Sequence, residues 1–154
     1  MKRTKLLFVL VPLLAWMAFI FGTSCTVIRP EEFFYLVSSS TGADRESMKT
    51  FAVFWGISWF AIVKGWHFTE FAILTVLTSA AIGWFDGKSS ARPIYLAMLI
   101  CIAFAASDEW HQSFVPDRFG TVQDVLIDSL GVCTAGAVLL MRKKRKNATK
   151  NELQ

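Results

Sequence analysis

The stretch from Ser107 to Gly131, SDEWHQSFVPDRFGTVQDVLIDSLG, sets Asp108, Glu109, His111, Gln112, Arg118, Asp124 and Asp128 between two long apolar runs. Ionisable groups held in apolar sequence cost free energy unless they are paired, solvated or used. A fold for this chain must therefore gather these groups in one place, at one face of an otherwise apolar body.

The rest of the chain says what that body is. Of 154 residues, 54% are hydrophobic, with 14 Phe and 6 Trp. A soluble domain of this size is nearer roughly 45–50% apolar, and here the excess is concentrated in runs. Leu6–Gly22 carries no charge over about 17 residues, just enough to cross a hydrocarbon core of about 30 Å. A cleaved signal peptide is the competing reading of this run. Trp66–Phe85, with Trp at both ends, reads as a second span, and Pro93–Ala106 as a third. Thr121–Met141 reads as a fourth, with Asp124 and Asp128 in its first two turns.

The connections follow from composition. Thr23–Thr50 holds Arg29-Pro30-Glu31-Glu32, Ser38-Ser39-Ser40 and Gly42 and reads as loop. Phe51–Val63 is apolar but only about 13 residues long, which suits an interfacial helix better than a span. Asp86–Ser90 and Phe114–Gly120 read as turns. The run Arg142–Lys146 (RKKRK) is expected to stop the last helix, leaving a frayed polar tail over 147–154. The three cysteines read as small buried hydrophobes. The expected fold is thus all-α: a single membrane domain over 1–146, with spans at about 6–22, 66–85, 92–107 and 121–141 and a short interfacial helix at about 51–63.

The net charge of +4 does not point to a nucleic acid, because the basic residues cluster beside apolar runs at the two ends. Lys2, Arg3, Lys5 and the RKKRK run put both termini on the cytoplasmic side by the positive-inside rule, with membrane lipids as the surrounding partner. His67 and Glu70, then Asp108 to Gln112, then Asp124 and Asp128 all fall near the opposite face. Positions three or four apart share a helix face. His67/Glu70, Asp108/His111 or Asp108/Gln112, and Asp124/Asp128 are therefore same-face pairs. Two carboxylates at i, i+4 repel unless something positive lies between them, so Asp128 needs a partner such as Arg118 or a His.

Three chemistries can use this set. One is a divalent metal, with His67, Glu70, Asp108, His111, Asp124 and Asp128 as candidate ligands; mixed N/O donors suit Mn, Mg or Zn. Another is metal-free acid/base work beside an anion-clamping Arg118. The third is an ion-pair network that merely fixes helix packing. Serine or cysteine nucleophiles are disfavoured, because Cys101 and Cys133 lie in mid-run and Ser113 has no special context.

The ordered set resembles the VanZ-like family, whose signature reads Asp-Glu-x-His-Gln, a Pro-x-Arg turn, then Asp-(x)3-Asp with a following Gly. Asp108, Glu109, His111, Gln112, Pro116, Arg118, Asp124, Asp128 and Gly131 match it. Upstream, Lys64–Glu70 (KGWHFTE) is similar to the family's Lys-x-x-His-Phe-x-Glu segment. The resemblance covers about Lys64 to Leu140. Phe71 stands where a Tyr is common and Asp117 where a Gly is. The family consists of bacterial four-span membrane proteins and takes its name from a member associated with low-level teicoplanin resistance. The resemblance implies a plasma-membrane location. It also implies an envelope context with a link to lipoglycopeptide tolerance, and the placing of His67, Glu70, Asp108, His111, Arg118, Asp124 and Asp128 at one depth points to an outer-leaflet polar pocket that engages an anionic lipid-linked or cell-wall substrate. On this reading Asp108, His111 and Asp128 carry the chemistry, supported by His67, Glu70 and Asp124. Arg118 holds the anion beside Gln112 and Glu109. The rival expectation is a structural or interaction protein in which the same residues hold the helices together.

Overall fold

The computed structural model describes residues 2–25, 35, 38–40, 42, 45–86, 90–116 and 118–152, and for 2–5 and 45–60 the backbone alone. Four long helices make up the bundle: α1 (Lys2–Ser24), α2 (Arg45–Asp86), α3 (Arg92–Gln112) and α4 (Val122–Glu152). No strand occurs among the described residues. Leu6–Ser24, Ala61–Asp86, Arg92–Gln112 and Val122–Glu152 are long and apolar enough to cross a membrane. The chain is therefore an all-α, multi-pass membrane bundle.

α2 is the central element, packing against each of the other three. Its 42 residues extend about 63 Å at 1.5 Å per residue, about twice a hydrocarbon core. Phe51–Val63 is helical, but it is the N-terminal part of α2 rather than a separate interfacial helix. No proline interrupts the stretch, and glycines such as Gly56 and Gly65 cost only about 1 kcal/mol each relative to Ala. The helix also begins at Arg45, inside the stretch expected to be loop. Ser38–Ser40 is helical too. That piece ends at Gly42, whose φ of 66° and N–H donation to the Ser38 carbonyl (3.0 Å) form a left-handed cap. The remaining loop and turn residues expected at 26–34, 36–37, 41, 43–44, 87–89 and 117 lie outside the described residues.

α4 also runs further than expected. Arg142–Lys146 does not stop it; the helix continues to Glu152. Lys, Arg and Ala are good helix formers, and cations near a helix C-terminus are favoured by the dipole. The basic run ends the apolar segment and leaves the backbone helix intact. At this end of the bundle Lys143 Nζ donates to the Ser90 carbonyl.

The exterior is apolar, and the interior mixes large apolar side chains with small ones. Phe8, Leu99, Leu126 and Leu130 are all exposed on the bundle surface, the pattern of helices facing lipid. The core is built from Ile20, Phe71, Leu74, Cys101, Ala105 and Val132, with Trp16, Met98 and Phe104 packed against it. Cys101 is buried as expected, but Cys25 and Cys133 are exposed on the protein surface. In a membrane helix an apolar sequence position can face lipid instead of protein, so hydrophobic context alone does not imply burial.

Three helix faces run from this core into polar residues without changing side. On α3 the buried face is Ala97, Cys101, Ala105, then Asp108 and Gln112. On α4 it is Gly136, Val132 and Gly131, then Asp128 and Asp124. On α2 it is Ala81, Thr78, Leu74, Phe71 and Glu70, leading towards His67. Residues three or four apart share a face, so the packing stripe itself delivers the polar groups to one end of the bundle.

Gly131 fixes how closely α2 and α4 approach there. A Cβ at this position would overlap the Phe68 backbone carbonyl. Small residues allow such backbone contact between membrane helices. Gly136 faces only the Met98 side chain, which can move aside. We expect Gly131→Ala to lower thermal stability in detergent by about 1–3 kcal/mol, the usual cost of overpacking. Gly136→Ala should cost less. Equal unfolding temperatures for the two variants would show that the Gly131–Phe68 approach does not limit the packing.

Candidate functional site

The polar end of the bundle is formed by the C-terminal turns of α1 and α3, the middle of α2 and the first turns of α4. Asp128 lies six residues beyond Val122, about 9 Å along α4. Asp128 therefore lies below the start of α4, within the apolar body, while Ser24, Gln112 and Asp124 sit at the helix ends. Among the described residues the polar end holds five carboxylates, from Glu70, Asp108, Glu109, Asp124 and Asp128, against two permanent cations, Lys64 and Arg118.

Most of these groups are occupied by protein partners. Ser24 Oγ, the last residue of α1, lies 2.7 and 2.8 Å from the two oxygens of Asp108 and donates to that carboxylate. Gln112 Nε2 donates to Asp108 Oδ2 at 2.8 Å and to Glu109 Oε1 at 3.2 Å. Arg118 Nη1 donates to Gln112 Oε1 (2.9 Å) and to the Ser24 carbonyl (3.1 Å). Arg118, expected to hold an anion, thus ties the α3–α4 connection to α1. Asp108, expected to carry chemistry, has both oxygens engaged.

A second group anchors the start of α4. Lys64 Nζ is paired with Asp124 Oδ1. Thr121 caps the helix: its Oγ1 accepts the Asp124 N–H (3.2 Å) and lies 3.0 Å from Asp124 Oδ2. The Thr121 N–H donates to Glu109 Oε2 at 3.0 Å. Gly120 makes this possible, since a Cβ there would collide with the Glu109 backbone carbonyl. On the α1 side, Thr23 Oγ1 lies 3.1 Å from Glu70 Oε1, and Trp16 Nε1 donates to the Glu70 carbonyl at 2.9 Å.

What is left over is Asp128. It is 0% exposed, yet neither of its oxygens has a hydrogen-bond partner. The nearest charge partner is His67, whose Nδ1 lies 3.5 Å from Asp128 Oδ1 and is itself buried without a hydrogen bond. That separation is longer than the 2.7–3.2 Å of a well-formed hydrogen bond, roughly. One ligand-capable atom from each of His67, Glu109 and Asp128 lies within 4.8 Å of the other two. His111 Nδ1 is likewise buried and unbonded, with its ring 4.9 Å from that of Phe21. His111 is therefore directed towards α1, and no hydrogen bond joins it to Asp108.

The structure divides the residues named from sequence. Asp108, Gln112, Arg118 and Asp124 belong to hydrogen-bonded frameworks, Glu70 faces Thr23, and His67, Glu109 and Asp128 converge on one another. Of this trio, Glu109 was expected to contact substrate and was not among the candidate metal ligands. Ser24, Thr23, Trp16 and Thr121 were not anticipated at all. Their hydroxyl, indole and backbone N–H groups carry no charge signal, and only the Ser or Thr preceding a helix, at Thr121, had a sequence signature.

The frameworks should be stabilising. A hydrogen bond to a buried charged group contributes about 1.5–3 kcal/mol. Ser24→Ala is therefore expected to lower the unfolding free energy in detergent by that amount. Asp108→Ala should cost more, because it removes the acceptor of Ser24 and the shorter of the Gln112 amide's two carboxylate contacts. Wild-type melting of both variants would remove the α1–α3 link from the stability of the bundle.

Comparison with curated proteins and with solved structures gives no match to this chain. The VanZ/LLP1 family model matches residues 8–143, which takes in all four apolar segments and every residue of the polar end described above. By that match the chain belongs to the VanZ/LLP1 family.

Proposed function

We propose that this chain is a plasma-membrane protein of the bacterial envelope. Its polar end engages an anionic, lipid-linked or cell-wall substrate in the outer leaflet, in a role connected with tolerance of lipoglycopeptides of the teicoplanin type. The observation that carries this reading is Asp128: a carboxylate fully buried in an apolar bundle without a hydrogen-bond donor. Such a residue is expensive at membrane depth and is retained where it is used. The orientation follows from charge. Arg142–Lys146 and Lys2–Lys5 lie at the end opposite Ser24 and Gln112, and positive residues favour the cytoplasmic side. The polar end then faces outward, with both termini inside.

A second reading is supported by the satisfied carboxylates. Asp108 and Asp124 are bonded as in a network that holds helices together, and breaking such a buried pair costs about 3–5 kcal/mol. The two readings concern different residues and separate on that basis. With variants expressed at native levels, Asp128→Asn and His67→Gln should yield folded, inserted protein that fails to support lipoglycopeptide tolerance. Asp108→Ala should fail by misfolding. Full tolerance in folded Asp128→Asn and His67→Gln would favour the structural reading.

Sidedness is tested independently. In a background with Cys25 and Cys133 replaced by Ser, a cysteine introduced at exposed Ser113 should react with an impermeant maleimide on intact spheroplasts. One introduced at Lys146 should react only after lysis. Labelling of both from the same side would break the proposed topology, and the reversed pattern would invert it.

A further inference from the structure

We propose that His67, Glu109 and Asp128 form a binding site for one first-row divalent cation of the Zn²⁺ or Mn²⁺ class. The site lies in the polar end whose substrate-binding role is proposed above, and it deepens that reading by supplying the positive charge that an anionic substrate needs.

Geometry is the first support. The three ligand-capable atoms lie within 4.8 Å of one another. Three donors bound to one ion at about 2.0–2.2 Å in a tetrahedral shell lie about 3.3–3.6 Å apart, so side-chain movements of up to about an ångström would complete the set. The residues come from three different helices, so an ion here would bridge α2, α3 and α4.

Unmet bonding capacity is the second, independent support. Asp128 is 0% exposed and both its oxygens lack a hydrogen bond, as does His67 Nδ1. Buried polar atoms are nearly always partnered by protein, water or an ion. Here a buried acceptor carboxylate faces a buried imidazole nitrogen at 3.5 Å, which leaves the capacity of both unused.

The surroundings are those of a metal ligand shell. Glu109 is held by Gln112 Nε2 on one oxygen and by the Thr121 N–H on the other. A carboxylate oxygen has a lone pair to spare after one hydrogen bond, so this orients Glu109 without exhausting it. The local charge agrees, since five carboxylates face two permanent cations among the described residues. Both of those cations are engaged, Lys64 with Asp124 and Arg118 with Gln112 and Ser24. One imidazole and two carboxylates suit Zn²⁺ or Mn²⁺ better than Ca²⁺, which prefers oxygen ligands throughout. Three protein ligands leave a coordination position for water or a substrate oxygen.

The test uses the full chain purified in detergent, stripped with a chelator and dialysed against ZnCl₂ or MnCl₂. Bound metal is counted by mass spectrometry, and thermal unfolding is recorded with and without metal. The wild type should retain about one ion per chain and unfold at a higher temperature when loaded. Asp128→Asn and Glu109→Gln should bind at least about tenfold more weakly and lose the metal-dependent shift, while unfolding cooperatively without metal. His111→Ala should bind as the wild type does. If Asp128→Asn does not fold, Glu109→Gln carries the test. A folded wild type that takes up neither metal overturns the proposal, and so does undiminished uptake by the folded variants. Either result with lipoglycopeptide tolerance still dependent on Asp128 would overturn the metal site alone and leave the proposed function standing.

Discussion

The dominant constraint on this protein is the burial of carboxylates in a body with an apolar exterior. A charge moved from water into such an environment loses several kcal/mol of solvation, which must be offset locally. The bundle offsets it by placing Asp108, Glu109, Asp124 and Asp128 on helix faces already turned inward by packing. Hydroxyls, amide groups and the Lys64 ammonium then meet three of them, while Arg118 braces Gln112 and the end of α1. Helix packing and polar chemistry therefore occupy the same stripe on each helix. A change in helix approach changes both.

That coupling explains the glycines. Gly131, three residues from Asp128, lets α4 reach the backbone of α2 at Phe68, the neighbour of His67 in sequence. Gly120 lets the α3–α4 connection fold back onto the Glu109 carbonyl, which brings the Thr121 N–H to the Glu109 carboxylate. Neither glycine is at a left-handed backbone position. Each is needed because another backbone lies where a side chain would be.

α1 has a different role. It contributes no carboxylate, but Ser24 holds Asp108, Thr23 faces Glu70 and Trp16 bonds the Glu70 carbonyl. With Arg118 bonded to the Ser24 carbonyl, the end of α1 closes the polar cluster on the side away from α4. Loss of α1 would expose Asp108 and Glu70 to lipid or to water. The first apolar run is thus part of the polar end's construction.

Much of this was legible in the chain itself. Four apolar runs of adequate length dictate membrane helices, because only a helix or a closed barrel satisfies the backbone in hydrocarbon. The i, i+3 and i, i+4 spacing of the acidic and His residues placed them on shared faces, and alternation of apolar segments brought them to one end. Sequence did not show where α2 begins or α4 ends, since helix propensity continues past the points where hydrophobicity changes. Nor did it show that Cys133 faces outward, because lipid-facing and protein-facing positions are equally apolar. Which carboxylates are tied down and which are not is a tertiary fact. Asp108 and Asp128 carry the same side chain in similar context, but Asp108 meets Ser24 and Gln112 whereas Asp128 meets only His67. Gln112 is one turn from Asp108 on the same helix, but Ser24 and His67 lie far along the chain on other helices, and only the crossing of the helices decides which of these come within bonding distance.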